Sequence, residues 1–299
     1  MNATIKKNSG RKWFTDRDSP YRQILHGVKK HIVSTRTKFQ KVDILDTYQL
    51  GRVVVLDEKI QSAETDEYIY HESLVHPAMA THRNPEEILI LGAGEGATLR
   101  EVIRHPTVRR VTMIDIDEEF VHICKKYLEK WHRGAFADPR LEMIHADAFA
   151  YLKDCRQLFD VILADISDPS DCGPSAEIYT RKFYSRIKKA LKPDGIFVTH
   201  STAVPDIPGQ GMAVKIFRTL RSIFAETDFY YEYIPSFGSA WSFSAGSMRY
   251  SLRSAPFSRL QRTIRERDLE GLAFYDAETH ARLFSLPKQV RSLLLSKNR

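Results

Sequence analysis

Five carboxylates recur at one kind of place in this chain. Glu95, Asp115, Asp147, Asp165 and Asp168 each stand at or just beyond the end of an apolar, β-branched run. On an open α/β sheet that position faces the crevice beyond the strand ends, where ligands bind. Together the acids offer acceptors for the hydroxyls of a ribose and for an adenine amine, with negative charge left over. No Lys or Arg accompanies them to hold phosphates, and no His-x-x-His or Cys-x-x-Cys spacing points to a metal. An acidic pocket of this kind suits a cation, such as a sulfonium or an aliphatic ammonium.

Glu95 is the informative member. It sits inside Gly92-Ala93-Gly94-Glu95-Gly96, a glycine-rich turn fed by an apolar run and followed by apolar residues at helical spacing. The run lacks the full spacing of a dinucleotide fingerprint, and a carboxylate inside it would repel a pyrophosphate. It would also oppose the carboxylate of an amino-acid cofactor such as S-adenosylmethionine, yet favour an aminopropyl ammonium in the same place. About twenty residues on, Asp115 ends a second apolar run, where it can accept both ribose hydroxyls.

The other acids have plainer alternatives. Asp147, followed by Ala148, suits an adenine amine or the N-cap of the next helix, and both roles are compatible. Asp165 and Asp168 lie beside Pro169, Gly173 and Pro174, where turn chemistry also explains acids. Gln40 reads equally well as surface or as site. Glu67, Tyr70 and His71 cluster on a helix predicted over residues 65–79, with Thr65 as its N-cap, immediately before the nucleotide strand.

The elements that would position these residues alternate in a regular order. Strand-like patterns cover residues 23–35, 39–49, 52–57 and 59–62, after a polar start anchored by Trp13 and Phe14 that is expected to fray. Further strands are expected at residues 87–91, 111–115, 141–145, 159–164 and 196–200, and two late runs at 228–234 and 242–251. Helices are expected over 118–131, 176–191 and 212–224, with a sharp turn at 192–195 and two basic, solvent-facing helices in the tail. The aromatic stretch 235–241 suits a pocket wall. The fold class is therefore α/β: a Rossmann-like, methyltransferase-type sheet of seven strands, mostly parallel with the last pair antiparallel. A small N-terminal antiparallel β domain over residues 1–64 precedes the catalytic domain over residues 65–299.

Composition narrows the class. The 299 residues carry a formal net charge of +7, which raises nucleic acid as a partner. The charge concentrates toward the two ends, however, and no reader helix, zinc finger or base-stacking aromatic run accompanies it. No apolar stretch reaches membrane-spanning length, and no signal peptide is expected. Cys124, Cys155 and Cys172 are odd in number and lack metal spacing, so a reducing cytoplasm is the expected compartment.

From residue 39 to 250 the sequence resembles the polyamine aminopropyltransferases, the spermidine synthase family with its thermospermine and aminopropylagmatine branches. The marks are Leu56-Asp57, Ile60-Gln61-Ser62-Ala63-Glu64, Asp66-Glu67-Tyr68-Ile69-Tyr70-His71-Glu72, the glycine turn, Leu99-Arg100-Glu101-Val102, Asp115-Ile116-Asp117 and Asp165-Ile166-Ser167-Asp168-Pro169. The resemblance implies that Asp165 accepts the proton of an attacking amine. It implies that Gln40, His71, Glu95, Asp115, Asp147, Ala148 and Pro174 contact decarboxylated S-adenosylmethionine. Tyr70, Asp165, Asp168 and Phe237 would line the amine site. It further implies a metal-free cytosolic enzyme that forms homodimers or homotetramers through its N-terminal part. Ala93, His200 and Phe237 depart from residues common in the family, and the loop after Asp168 is longer than in many spermidine synthases. The acceptor therefore stays open among putrescine, spermidine and agmatine. Methyl transfer from intact S-adenosylmethionine, and nucleic-acid binding on a disused scaffold, are the competing readings.

Overall fold

The structure, a computed structural model, describes residues 6–8, 11–19, 22–166, 178–204 and 211–296. Asp168, Pro174 and Cys172 lie outside them. The first sheet runs in sequence order through β1 (Lys6–Asn8), β2 (Arg11–Ser19), β3 (Arg22–Arg36), β4 (Lys41–Thr47), β5 (Arg52–Leu56) and β6 (Lys59–Ala63), all antiparallel. The start is therefore not frayed throughout: β2 pairs with β3 and buries Phe14 completely.

Strands β4 and β5 are covered on both faces, and their parity sorts the contacts. Leu45, Val53 and Val55 join Phe14 and Val28 in the core of this sheet. Val42, Ile44 and Val54 point the other way, onto Phe120, Cys124, Leu128 and Trp131 of the second part of the chain. Hydrogen bonds tie the seam, among them Trp131 Nε1 donating to Ser62 Oγ at 2.8 Å and Arg52 Nη1 to the Tyr127 carbonyl at 2.8 Å.

Helix α1 (Glu67–Thr81) leads into that second part. It continues through β7 (Glu87–Gly92), α2 (Ala97–Ile103), β8 (Arg110–Asp115), α3 (Glu118–Tyr127), α4 (Glu129–His132), β9 (Leu141–His145), α5 (Ala148–Asp154), β10 (Phe159–Asp165), α6 (Arg181–Ala190), β11 (Leu191–Ala203), α7 (Met212–Arg221), β12 (Glu226–Ile234) and β13 (Ser239–Ser247). The tail adds α8 (Phe257–Glu266), α9 (Ala277–Leu283) and α10 (Lys288–Leu295). The sheet order is β12-β13-β11-β10-β7-β8-β9, with β13 antiparallel to both neighbours and the other described pairings parallel. Alternation again sorts the faces. Ile88, Ile90, Val111, Met113, Val161 and Leu163 meet α1 and α2, while Leu89, Leu91, Ile162 and Phe197 meet α5, α6 and α7. After β9 the chain crosses β7 to place β10 on its other side. The β7–β10 edge is thus the topological switch point, where such sheets bind ligands.

Several boundaries differ from expectation. The helix expected over 118–131 breaks at Leu128, whose φ of −117° and ψ of 42° leave the helical region. The turn at 192–195 is absorbed into β11 as a bulge, since the register against β10 shifts between Phe159 and Val161. Thr65 does not cap α1; its hydroxyl bonds the Leu50 carbonyl, and Asp66 occupies the cap position while accepting from Ser236 N at 2.6 Å.

Helix α1 carries Pro77 in its interior, so the carbonyl of Ser73 loses its usual partner. Tyr230 Oη donates to it instead, at 2.9 Å. The other end of α1 is closed by the tail. Arg267, expected to face water, is buried, and its guanidinium donates to the carbonyls of Met79 (2.6 Å), His82 (3.0 Å) and Arg83 (2.8 Å). Burial lowers its pKa to about 10. Arg267→Met would leave those carbonyls without a donor in an apolar setting, and a loss of about 3 kcal/mol is expected. The denaturation midpoint checks it, and a midpoint within error of wild type would show that the contacts contribute little.

Candidate active site

A cleft of about 550 Å³ opens at the carboxyl ends of β7, β8 and β10, closed on one side by the N-terminal sheet. Its size suits a nucleoside with a short chain attached. Gln40, Tyr70, Glu95, Asp115, Asp147, Ala148, Asp165 and Phe237 all line it. His71 lies directly behind Glu95.

The turn after β7 is shaped by close approach. Gly92 has a φ of +82°, and a Cβ there would lie 2.2 Å from the Asp165 carbonyl oxygen. A Cβ on Gly94 would come within 2.9 Å of Asp115 Oδ2. Ala93 is not a mild replacement for glycine: its φ is +67°, in the left-handed region, at a cost of about 1–2 kcal/mol. Its amide N–H donates to the Asp165 carbonyl at 2.9 Å, so the strained residue ties the turn to β10.

Glu95 is not a lone acid. Its Oε1 stands 2.8 Å from His71 Nε2, and His71 Nδ1 stands 2.9 Å from Glu67 Oε2. Burial works against a charged imidazole, but Glu67 and Glu95 outweigh it and raise the His71 pKa to about 10. His71 is therefore an imidazolium at neutral pH. Burial pushes the Glu95 pKa up, opposed by His71. Glu67 in turn receives both Arg100 Nη groups at 2.9 Å, and Arg100 Nε reaches Glu101 at 2.6 Å. A buried chain of alternating charge thus anchors the acid whose side chain meets the cleft.

Asp115 Oδ1 accepts from the Asp117 amide at 2.8 Å. Burial, chiefly, lifts its pKa to about 7, with the charges of Asp117 and Asp165 adding to it and backbone N–H groups opposing. Asp117 was not singled out for the site from sequence, although an acid just before Glu118 reads as a helix cap. It caps α3 through Phe120 N at 3.0 Å, and its other oxygen accepts from Thr37 Oγ1 (2.6 Å) and Gln40 Nε2 (3.0 Å). That contact holds Gln40, from the first sheet, over the cleft. Asp147 caps α5 through Ala150 N at 2.7 Å while lining the cleft beside Ala148.

On the far side Asp165 ends β10. Tyr70 Oη donates to its Oδ1 at 2.7 Å and Thr98 Oγ1 to its Oδ2 at 2.6 Å. Rings wall this end: Tyr70 lies 6.0 Å from Phe237, Phe237 4.8 Å from Trp241, and His200 stacks on Trp241 at 6.1 Å. Trp241 falls in the stretch read as a pocket wall, whereas Thr98 carried no signal. Among the described residues, the one His and acid cluster with metal-like spacing is His82, Asp160 and Asp194. It lies at the opposite end of β10 from Asp165, and Asp160 already receives the Lys192 ammonium at 2.8 Å.

A nucleoside-sized cleft at the switch point, floored by acids and walled by aromatic rings, lies where a methyltransferase-type sheet binds its ligand. Residues 67–252 match the spermine/spermidine synthase domain, and residues 12–64 match the spermidine synthase tetramerisation domain. The polyamine aminopropyltransferase of Sulfurisphaera tokodaii is 38% identical, over 96% of this chain and 94% of its own. Polyamine aminopropyltransferase 2 of Hyperthermus butylicus is 40% identical, over 91% and 88%. Two crystal structures share the fold, each at 28% identity over 98% of this chain and 97% of the other. They are a spermidine synthase in complex with the transition-state analogue AdoDATO (TM-score 0.88) and the spermidine synthase from Thermotoga maritima (TM-score 0.86). The chain belongs to the polyamine aminopropyltransferase (spermidine synthase) family and is an enzyme of that family.

Proposed function

We propose that the enzyme transfers the aminopropyl group of decarboxylated S-adenosylmethionine to a polyamine acceptor, with Asp165 taking the proton. The observation that carries this reading is the setting of Asp165: a carboxylate at the switch point, held by two hydroxyls and facing an aromatic-walled cleft. Asp115 is the acceptor for the ribose hydroxyls, Asp147 and Ala148 meet the adenine, and Glu95 with Gln40 and His71 frames the aminopropyl end. The acceptor amine is a cation with a pKa near about 10 and must lose a proton before it can attack. Its nitrogen attacks the methylene next to the sulfonium, the C–S bond breaks with its electron pair going to sulfur, and neutral methylthioadenosine leaves. Tyr70 and Phe237 orient the amine, and fixing two substrates in line supplies much of the rate gain.

The acceptor is putrescine, spermidine, agmatine or a related amine, with Asp168 and Pro174 assigned to the site by family resemblance alone. The active form is a homodimer or homotetramer built on the first sheet, a reading supported by the tetramerisation-domain match and by the exposed Leu25 and Tyr48. No described helix is long and apolar enough to cross a membrane, and a cytoplasmic, metal-independent enzyme is the proposed form. The test is incubation with decarboxylated S-adenosylmethionine and a panel of putrescine, cadaverine, agmatine, spermidine and norspermidine, with products identified by mass. An aminopropylated amine plus methylthioadenosine is expected. Methylated product from intact S-adenosylmethionine, with no aminopropyl product from any amine, would overturn the reading.

A further inference from the structure

Thr98 is fully buried at the second position of α2, directly after the glycine turn. A threonine hydroxyl inside a helix commonly bonds the carbonyl one turn back. This one instead crosses to a residue 67 positions away in sequence, Asp165, at 2.6 Å. The carboxyl torsion of an aspartate is soft, with broad wells. Two hydroxyls, one on each oxygen, remove that freedom: Tyr70 Oη sits on Oδ1 and Thr98 Oγ1 on Oδ2. Each carboxylate oxygen has a second lone pair, so the two donors fix which lone pairs remain to meet an incoming amine.

The two donors come from different walls. Tyr70 belongs to α1 and to the aromatic side of the cleft. Thr98 belongs to the helix that begins at Ala97, and the amide of Ala93 in the glycine turn just before it also holds the Asp165 backbone at 2.9 Å. The segment that shapes the donor side therefore grips the proton acceptor twice, once by its main chain and once by its side chain.

We infer that Thr98 is a positioning residue for the transfer: its hydroxyl sets the plane of the Asp165 carboxylate and registers it with the donor turn. This rests on the aminopropyl-transfer reading above. A displaced reacting group costs up to about a hundredfold in rate, whereas ground-state contacts with the donor are untouched. Thr98→Val, which keeps the branched shape, and Thr98→Ala, which does not, should both lose about tenfold to a hundredfold in kcat with KM for the donor within about twofold. Thr98→Ser, which restores the hydroxyl but not the methyl, should return kcat to within about threefold of wild type.

The series is read with circular dichroism to confirm folding and with product masses from the wild type in the same assay. Rates that follow the hydroxyl, with Ser near wild type and Val and Ala low, support the inference. Rates that follow side-chain volume, with Val near wild type and Ser as impaired as Ala, overturn it and leave Thr98 a packing residue. If the wild type yields no aminopropylated amine, the parent reading fails and the inference with it. An active wild type with an unimpaired Val variant sinks the inference alone.

Discussion

Asp165→Asn should lower kcat by about 10²- to 10⁴-fold, the usual worth of a positioned general base, with donor binding kept within about threefold. The substitution keeps the shape of the side chain. Both hydroxyls that hold it, on Tyr70 and Thr98, can turn to suit an amide, and the donor contacts proposed for Asp115, Asp147 and Glu95 lie elsewhere in the cleft. What is lost is an acceptor for the amine's proton. Carboxylates that hold an ammonium also raise its pKa, so binding without proton acceptance hinders the attack. The deficit should therefore shrink as pH rises toward the amine's own pKa near about 10, where free amine becomes available without help. A pH–rate comparison of the two enzymes checks this, alongside calorimetric binding of methylthioadenosine. Turnover of the variant near wild type at neutral pH would remove Asp165 from the role of base.

Much of this arrangement was legible in the chain because strand ends announce themselves. The runs ending at Gly92, Asp115 and Asp165 are mainly apolar, as strands buried on both faces tend to be, broken inside by Thr112 and Asp160, and each stops at a residue of different chemistry. What stayed hidden depends on contacts between distant segments. Thr98 reads as an ordinary helical threonine until β10 is laid beside β7. Glu95 read as a surplus charge because His71 lies on another element, and the pairing of the two is a tertiary fact. Ala93 gave no sign that its φ is positive, since alanine in a glycine-rich turn has the same letter in either conformation. Strand β2 was missed because its sequence is largely polar and Phe14 is its one fully buried apolar side chain. Arg267 looked like solvent-facing charge; only the carbonyls at the end of α1 give it a buried role. Periodicity reports which face an element buries, and it is silent about which polar partner waits there.

Asp115 should show a trade between stability and binding. Its folded pKa of about 7 lies above the ordinary 3.8 because burial penalises the charged form. Between those two values the folded chain holds a proton that the unfolded chain has released. Stability therefore falls as pH rises from about 4 to about 7 and is level above that. Replacing the acid by a neutral isostere removes the burial penalty while leaving an oxygen for the Asp117 amide. Asp115→Asn is expected to be more stable by roughly 1–3 kcal/mol at about pH 8, with the gain vanishing near about pH 4, where the aspartate is neutral in both states. The same change should weaken donor binding by about tenfold or more, since two ribose hydroxyls need two acceptor oxygens and an amide offers one. In the wild type the donor KM should rise as pH falls through about 7, because protonation of Asp115 also removes an acceptor. The asparagine variant should lose that dependence. Melting temperatures and donor binding measured across this range decide the matter. A variant less stable than wild type at about pH 8 would show that the carboxylate contributes more through its hydrogen bonds than it loses by burial. A wild-type donor affinity flat across neutral pH would remove Asp115 from the donor site.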